Sequence, residues 1–103
     1  MSGDGPAAAS DRLYVTAFLE MMAAERGASA NTLDAYRRDL EDFCGFLRRD
    51  GVGLRSVSRA AISRYLTSLS SDGLKPASRA RRLSAVRQLY KYLEAEGAVA
   101  DNP

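Results

Sequence analysis

A chain of 103 residues with 46% hydrophobic and 27% charged content is sized for one domain around a single buried core. It contains no His, no Trp and one Cys, which excludes a His-based triad, a His-ligated metal and a Cys-cluster zinc site. The net charge of +2 hides a polarity: residues 1–50 carry six Arg against nine acids, and residues 51–103 carry nine Lys or Arg against four.

Met1–Ser10 is small and polar and reads as a disordered leader, leaving residues 11–103 as the domain. No basic segment followed by an apolar one marks export, and no apolar run approaches the roughly 20 residues that span a bilayer. The first predicted helix runs from about Asp11 to Arg26, with Tyr14, Phe18, Met21 and Met22 inward. The second runs from about Asn31 to Asp50, where Leu33, Tyr36, Leu40, Phe43, Cys44 and Leu47 recur at steps of three and four. Cys44 on that inner face reads as an inert core thiol, and a lone cysteine fits a reducing cytoplasm. A connector from Gly51 to Val57 supplies Leu54 as a core plug.

Ser58 is the expected N-cap of the third helix, with Val57 and Ile62 as a hydrophobic staple and Ile62, Tyr65, Leu66 and Leu69 inward. Pro76 and Ser78 open the fourth helix, which runs to about Glu96 and buries Leu83, Val86, Leu89, Tyr90 and Leu93. Gly27, Gly51, Gly73 and Gly97 each close a segment. Tyr92 faces away from the stripe and is expected to contact another domain or subunit. No alternating strand pattern appears. The fold class is all-α, a four-helix bundle with short loops.

Between Gly73 and Leu93 there is no acid, yet Lys75, Arg79, Arg81, Arg82, Arg87 and Lys91 fall there. At about 100° per residue, Arg81, Ser84, Gln88 and Lys91 line the outer face of the fourth helix, flanked by Arg87. Arg79 and Arg82 are expected to project from its first turn. Such a rigid cationic face suits a polyanion, with double-stranded DNA the first candidate. The plain alternative is that long Arg side chains merely cover the bundle. Near the start of the second helix, Asn31, Thr32, Asp34 and Arg38 point outward, although Asn31 and Thr32 serve equally well as helix-start residues. Arg37 and Arg38 can pair with Asp34, Glu41 and Asp42, and Glu41, Asp42, Arg48 and Arg49 read as a solvated face.

Asn31-Thr32-Leu33-Asp34-Ala35-Tyr36-Arg37-Arg38-Asp39-Leu40 and Ser78-Arg79-Ala80-Arg81-Arg82-Leu83-Ser84-Ala85-Val86-Arg87-Gln88-Leu89-Tyr90 are similar to two signatures of the tyrosine recombinases. In order and at this spacing they resemble the N-terminal core-binding domain of the phage-integrase family, Xer-type chromosome-dimer resolvases in particular. The resemblance covers about 90 residues, from Asp11 to Pro103, and implies a SAM-like four-helix domain. In the family, the second and fourth helices address the major groove of a recombination half-site. That role then falls on Asn31, Thr32, Arg38, Ser78, Arg79, Arg81, Arg82, Ser84, Arg87, Gln88 and Lys91, and Lys75 joins the candidate DNA-binding set by its place in the acid-free stretch. The family's tyrosine nucleophile and its Arg, Lys and His assistants belong to a C-terminal catalytic domain, so a chain without His is expected to be non-catalytic by itself. The implied partners are duplex DNA, that catalytic domain and other recombinase protomers, with no cofactor, no metal and no membrane; alone, the domain is expected to be monomeric.

Two other readings stay open: a helical protein–protein adaptor with a basic docking face, and an RNA-binding module. The DNA reading requires the cationic side chains to face outward, unneutralised by carboxylates of neighbouring helices.

Overall fold

Three segments share one local pattern, a Leu, a Gly four residues on, and an apolar residue after the Gly: Leu47-Gly51-Val52, Leu69-Gly73-Leu74 and Leu93-Gly97-Ala98. In the computed structural model, which describes residues 6–99, each pattern ends a helix the same way. The amide of the apolar residue donates to the carbonyl of the Leu, Val52 to Leu47 at 2.9 Å, Leu74 to Leu69 at 3.2 Å and Ala98 to Leu93 at 2.8 Å. The turn requires a left-handed residue, φ 75° at Gly73, which glycine enters without a Cβ penalty. All three Leu side chains are buried, so each stop signal is also a core contact.

The helices so delimited are α1 (Pro6–Arg26), α2 (Ala30–Arg49), α3 (Arg59–Ser71) and α4 (Pro76–Ala95), with a 3-10 turn, Leu54–Ser56, between α2 and α3. Among the described residues there is no strand, and no helix is long and apolar enough to cross a membrane. Ser58 caps α3 as expected, its Oγ accepting the Ala61 N–H at 3.2 Å. The cap of α2 is Ser29, whose Oγ accepts the Thr32 N–H at 3.1 Å, so Asn31 is not needed as a cap. The larger difference is at α1. Residues 6–10, expected in a disordered leader, are helical, because Pro suits a first helical position and Ala7–Ala9 is the best helix-forming residue three times over. Residues 1–5 of that leader lie outside the described residues, as do residues 100–103.

Phe43 lies at the centre of the core, edge-on to Tyr65 at 5.0 Å and to Tyr90 at 6.2 Å. Around it are buried Val15, Phe18 and Met22 from α1, Leu40 and Leu47 from α2, Ala61 and Leu69 from α3, and Val86, Leu89 and Leu93 from α4. Each large side chain so enclosed contributes about 1.5–3 kcal/mol by leaving water. Tyr14, Met21, Leu33, Tyr36, Cys44, Ile62 and Leu66 sit at the edge of this core, partly buried. Tyr92 departs from expectation: it is partly buried, its ring 5.8 Å from that of Phe18. α4 packs against all three other helices, so its contact surface is wider than one apolar stripe.

The connector is tied down by both ends of its Leu54 peptide. Leu54 is fully buried, as a core plug should be. Both carboxylate oxygens of buried Asp11 accept its N–H at 3.2 Å, and the Tyr90 hydroxyl donates to its carbonyl at 2.7 Å. A buried loop thereby keeps its backbone groups paired, with α1 and α4 supplying the partners.

Candidate nucleic-acid interface

α2 and α4 pack together along a polar seam. At its upper end, Arg26 Nη1 donates to Gln88 Oε1 at 2.7 Å, and Gln88 Nε2 donates to both the Tyr36 hydroxyl and Ser84 Oγ at 3.1 Å. Two helical turns from Gln88 towards the start of α4, Arg81 grips Asp39 with Nε to Oδ2 at 2.8 Å and Nη2 to Oδ1 at 2.9 Å. Beyond it, Arg82 Nη1 and the Tyr65 hydroxyl both donate to Asp42 Oδ2, at 2.5 and 2.9 Å.

The acid-free stretch of α4 is therefore not acid-free in space. Asp39 is 2% exposed and lies beside the apolar arc of α2 that holds Leu40 and Phe43, so its carboxylate must be paired, and Arg81 and Arg82 converge on it. The expectation that Arg79 and Arg82 project outward is corrected. Arg82 is one residue beyond Arg81, about 100° around the helix towards the core, and only 21% of its side chain is exposed. Its Nε is buried, 3.6 Å from Asp39 and without a hydrogen bond. Arg79 folds back so that Nη1 donates to the Leu74 carbonyl at 2.6 Å. Asp42, read as part of a solvated face, instead joins α3 and α4 to α2.

The rest of the expected set separates into two groups. Ser84 and Gln88 face outward but spend hydrogen bonds on each other and on Tyr36. Arg38 is exposed and pairs with Asp34 at 3.0 Å, as anticipated; Arg37 also pairs with Asp34. Asn31 and Thr32 are exposed in the first turn of α2, and Ser78 is half-buried in the first turn of α4. Lys75, Arg87 and Lys91 are exposed and, among the described residues, have no carboxylate within pairing distance. Arg81 is intermediate in kind: anchored on one edge, yet 46% exposed on the other.

Electrostatics reinforce the seam. Hydrogen bonding to Asp39, and its charge, hold the Arg81 guanidinium above its already high ordinary pKa. Burial first, then acceptance by Asp42, pushes the Tyr65 phenol well above its ordinary value, so it stays a donor. Asp39 and Arg26 were not singled out from sequence. Asp39 was discoverable only in part, since an acid bordering an apolar stripe is at risk of burial and then needs a cation opposite; Arg26, at the end of α1, carries no such signal.

A groove of about 310 Å³ between α1 and α2, lined by Val15, Leu19, Cys44, Arg37 and Glu41 among others, shares no residue with the seam. Among the described residues, no group of His, Cys, Asp and Glu is arranged to hold a metal ion.

The chain is 58% identical over 90 residues to the tyrosine recombinase XerD of Rhizobium meliloti, covering 87% of this chain and 29% of that protein. It is 48% identical over 103 residues to XerD of Agrobacterium fabrum (100% and 31% covered) and 50% identical over 90 residues to XerD of Caulobacter vibrioides (87% and 30%). It thus spans about 30% of the length of these relatives. No solved structure matches it significantly. Residues 15–97, a span that takes in the whole α2/α4 seam, match the phage integrase N-terminal SAM-like domain, and the chain belongs to that family.

Proposed function

We propose that this domain binds duplex DNA through the outer faces of α2 and α4 and positions a recombination half-site for strand exchange. The requirement for outward, unneutralised cations fails at Arg79, Arg81 and Arg82, and the reading is carried by the cations of the acid-free stretch that meet it, Lys75, Arg87 and Lys91. Arg87 and Lys91 are one turn apart, exposed and without carboxylate partners among the described residues, so their charge is available to phosphates. Arg81 on the same helix, and exposed Asn31 and Thr32 in the first turn of α2, offer directed donors. Kinship with proteins named tyrosine recombinase supports DNA as the partner. Strand cleavage is assigned to residues outside these 103, in a catalytic domain with which this one would enclose the duplex, alongside other protomers. A single cysteine, with no second one in the chain to form a disulfide, suits a reducing cytoplasm.

Arg81→Glu is a poor test, because it would set a second carboxylate against buried Asp39 and destabilise the fold. The clean variant is Arg87→Glu with Lys91→Glu, two exposed positions. Fluorescence anisotropy on a labelled duplex should show at least a tenfold loss of affinity, with the helical circular dichroism unchanged. Undiminished binding in the double variant would sink this reading.

A further inference from the structure

We infer that Asp39 is a positioning residue that turns Arg81 into a base-reading group, with guanine its matching base. This rests on the proposed DNA binding and deepens it. A guanidinium carries five N–H donors. Asp39 takes the side-on pair, Nε and one N–H of Nη2, at 2.8 and 2.9 Å. What remains is the end-on edge, where Nη1 and Nη2 each present a parallel N–H. That edge has the geometry of the two acceptors, O6 and N7, that guanine shows in the major groove.

Three features favour reading over phosphate gripping. Asp39 is 2% exposed, so it holds the fork from beneath without competing at the surface, while 46% of the Arg81 side chain stays open. The pair is close to electroneutral, which removes most of the long-range attraction to phosphates but leaves the short-range, directional donors intact. The side chain is already immobilised, so docking does not have to freeze it. Arg87 and Lys91 have the opposite properties: exposed, mobile in kind and, among the described residues, unneutralised. Gripping and reading are thus assigned to different residues of one helix.

A bare charge effect and a positioning role differ in what one substitution does to sequence preference. Removing an anion from a DNA-binding face should strengthen binding to every duplex. If Asp39 positions Arg81, Asp39→Asn should instead erode discrimination. The probes are a duplex selected by the 103-residue chain from a random library, and a scrambled duplex of the same composition. For Asp39→Asn the scrambled duplex should bind as tightly as before or tighter, while preference for the selected duplex falls about tenfold. Arg81→Lys, which keeps the charge and loses the fork, should lose the same preference with an unchanged salt slope. Nuclear magnetic resonance of the free chain should show a resolved, slowly exchanging Arg81 Nε–H at neutral pH, which needs no variant to fold. Preference surviving in either variant that folds, a wild-type chain that binds duplexes without preference, or a rapidly exchanging Nε–H would overturn the positioning role and leave DNA binding standing. A wild-type chain that binds no duplex would overturn both.

Discussion

At the scale of single residues, the seam and the connector show how buried acids are tolerated. Asp39 is compensated by a guanidinium fork, whereas Asp11 is held chiefly by one backbone N–H. Burial therefore raises the Asp11 carboxyl above its ordinary 3.8, partly offset by the Leu54 bond and by Arg48. The folded state then binds the proton more tightly than the unfolded chain. Asp11's favourable contribution is full below about pH 3.8 and is lost as pH rises through the raised value. Asp11→Asn keeps an acceptor for Leu54 and removes the titration. Its urea midpoint should gain relative to wild type between pH 3.5 and pH 7, whereas Asp11→Ala, leaving the N–H unpaired, should lose about 1–3 kcal/mol at any pH. Cys44, with its thiol pushed up to about 12, should label with iodoacetamide at pH 8 far more slowly than free cysteine. Of these two environments, only that of Cys44 was legible from sequence. Helical spacing put Cys44 on an inner face, but Asp11 was read only as the start of a helix, because its partner lies 43 residues away.

At the scale of elements, the same chemical change should act with opposite sign at two glycines. Gly45 is inside α2 with ordinary helical backbone, and an added Cβ would meet only Arg48 Nη2 at 3.8 Å. Gly45→Ala should stabilise by about 1 kcal/mol, raising the melting temperature by roughly 4–8 °C. Gly73, also in open space, sits at φ 75°, so Gly73→Ala should cost about 1–2 kcal/mol through backbone strain alone. Thermal unfolding of the two variants checks both. Helix limits were readable because capping is local chemistry: Ser58 and the Gly after each Leu announce themselves within six residues. The start of α1 was not, since small residues after Gly and Pro look the same whether they form a leader or a helical turn. The orientations of Arg79 and Arg82 were within reach of the 100° rule, which sets Arg82 inward of Arg81. Charge along the stretch carries no such orientation, because residues adjacent in sequence lie about 100° apart around the helix.

At the scale of the molecule, charge counted along the chain overstated the field that the surface presents. The second half is rich in cations and the first in acids, yet α2 lies against α4, so the two excesses meet and partly cancel at Asp39 and Asp42. Five or six cations on phosphates would give a slope of log K against log salt near roughly −5; with Arg81 and Arg82 paired and Arg79 folded back, we expect roughly −3. A titration of duplex affinity between 50 and 200 mM salt, about the range where such slopes separate, distinguishes the two. The four-helix architecture was legible at this scale, and the relative placement of helix faces was not. Helical periodicity reports which side of each rod is buried and is silent on which rod it meets. The grip on Leu54 has its own consequence for how the domain comes apart. Its amide belongs to an irregular segment, where protons normally exchange with solvent freely. Here α1 cannot peel away without freeing the Leu54 N–H, nor α4 without freeing its carbonyl. In deuterated buffer the Leu54 proton should persist as long as those of the central helical turns, marking the connector as a place where the whole bundle opens together or not at all.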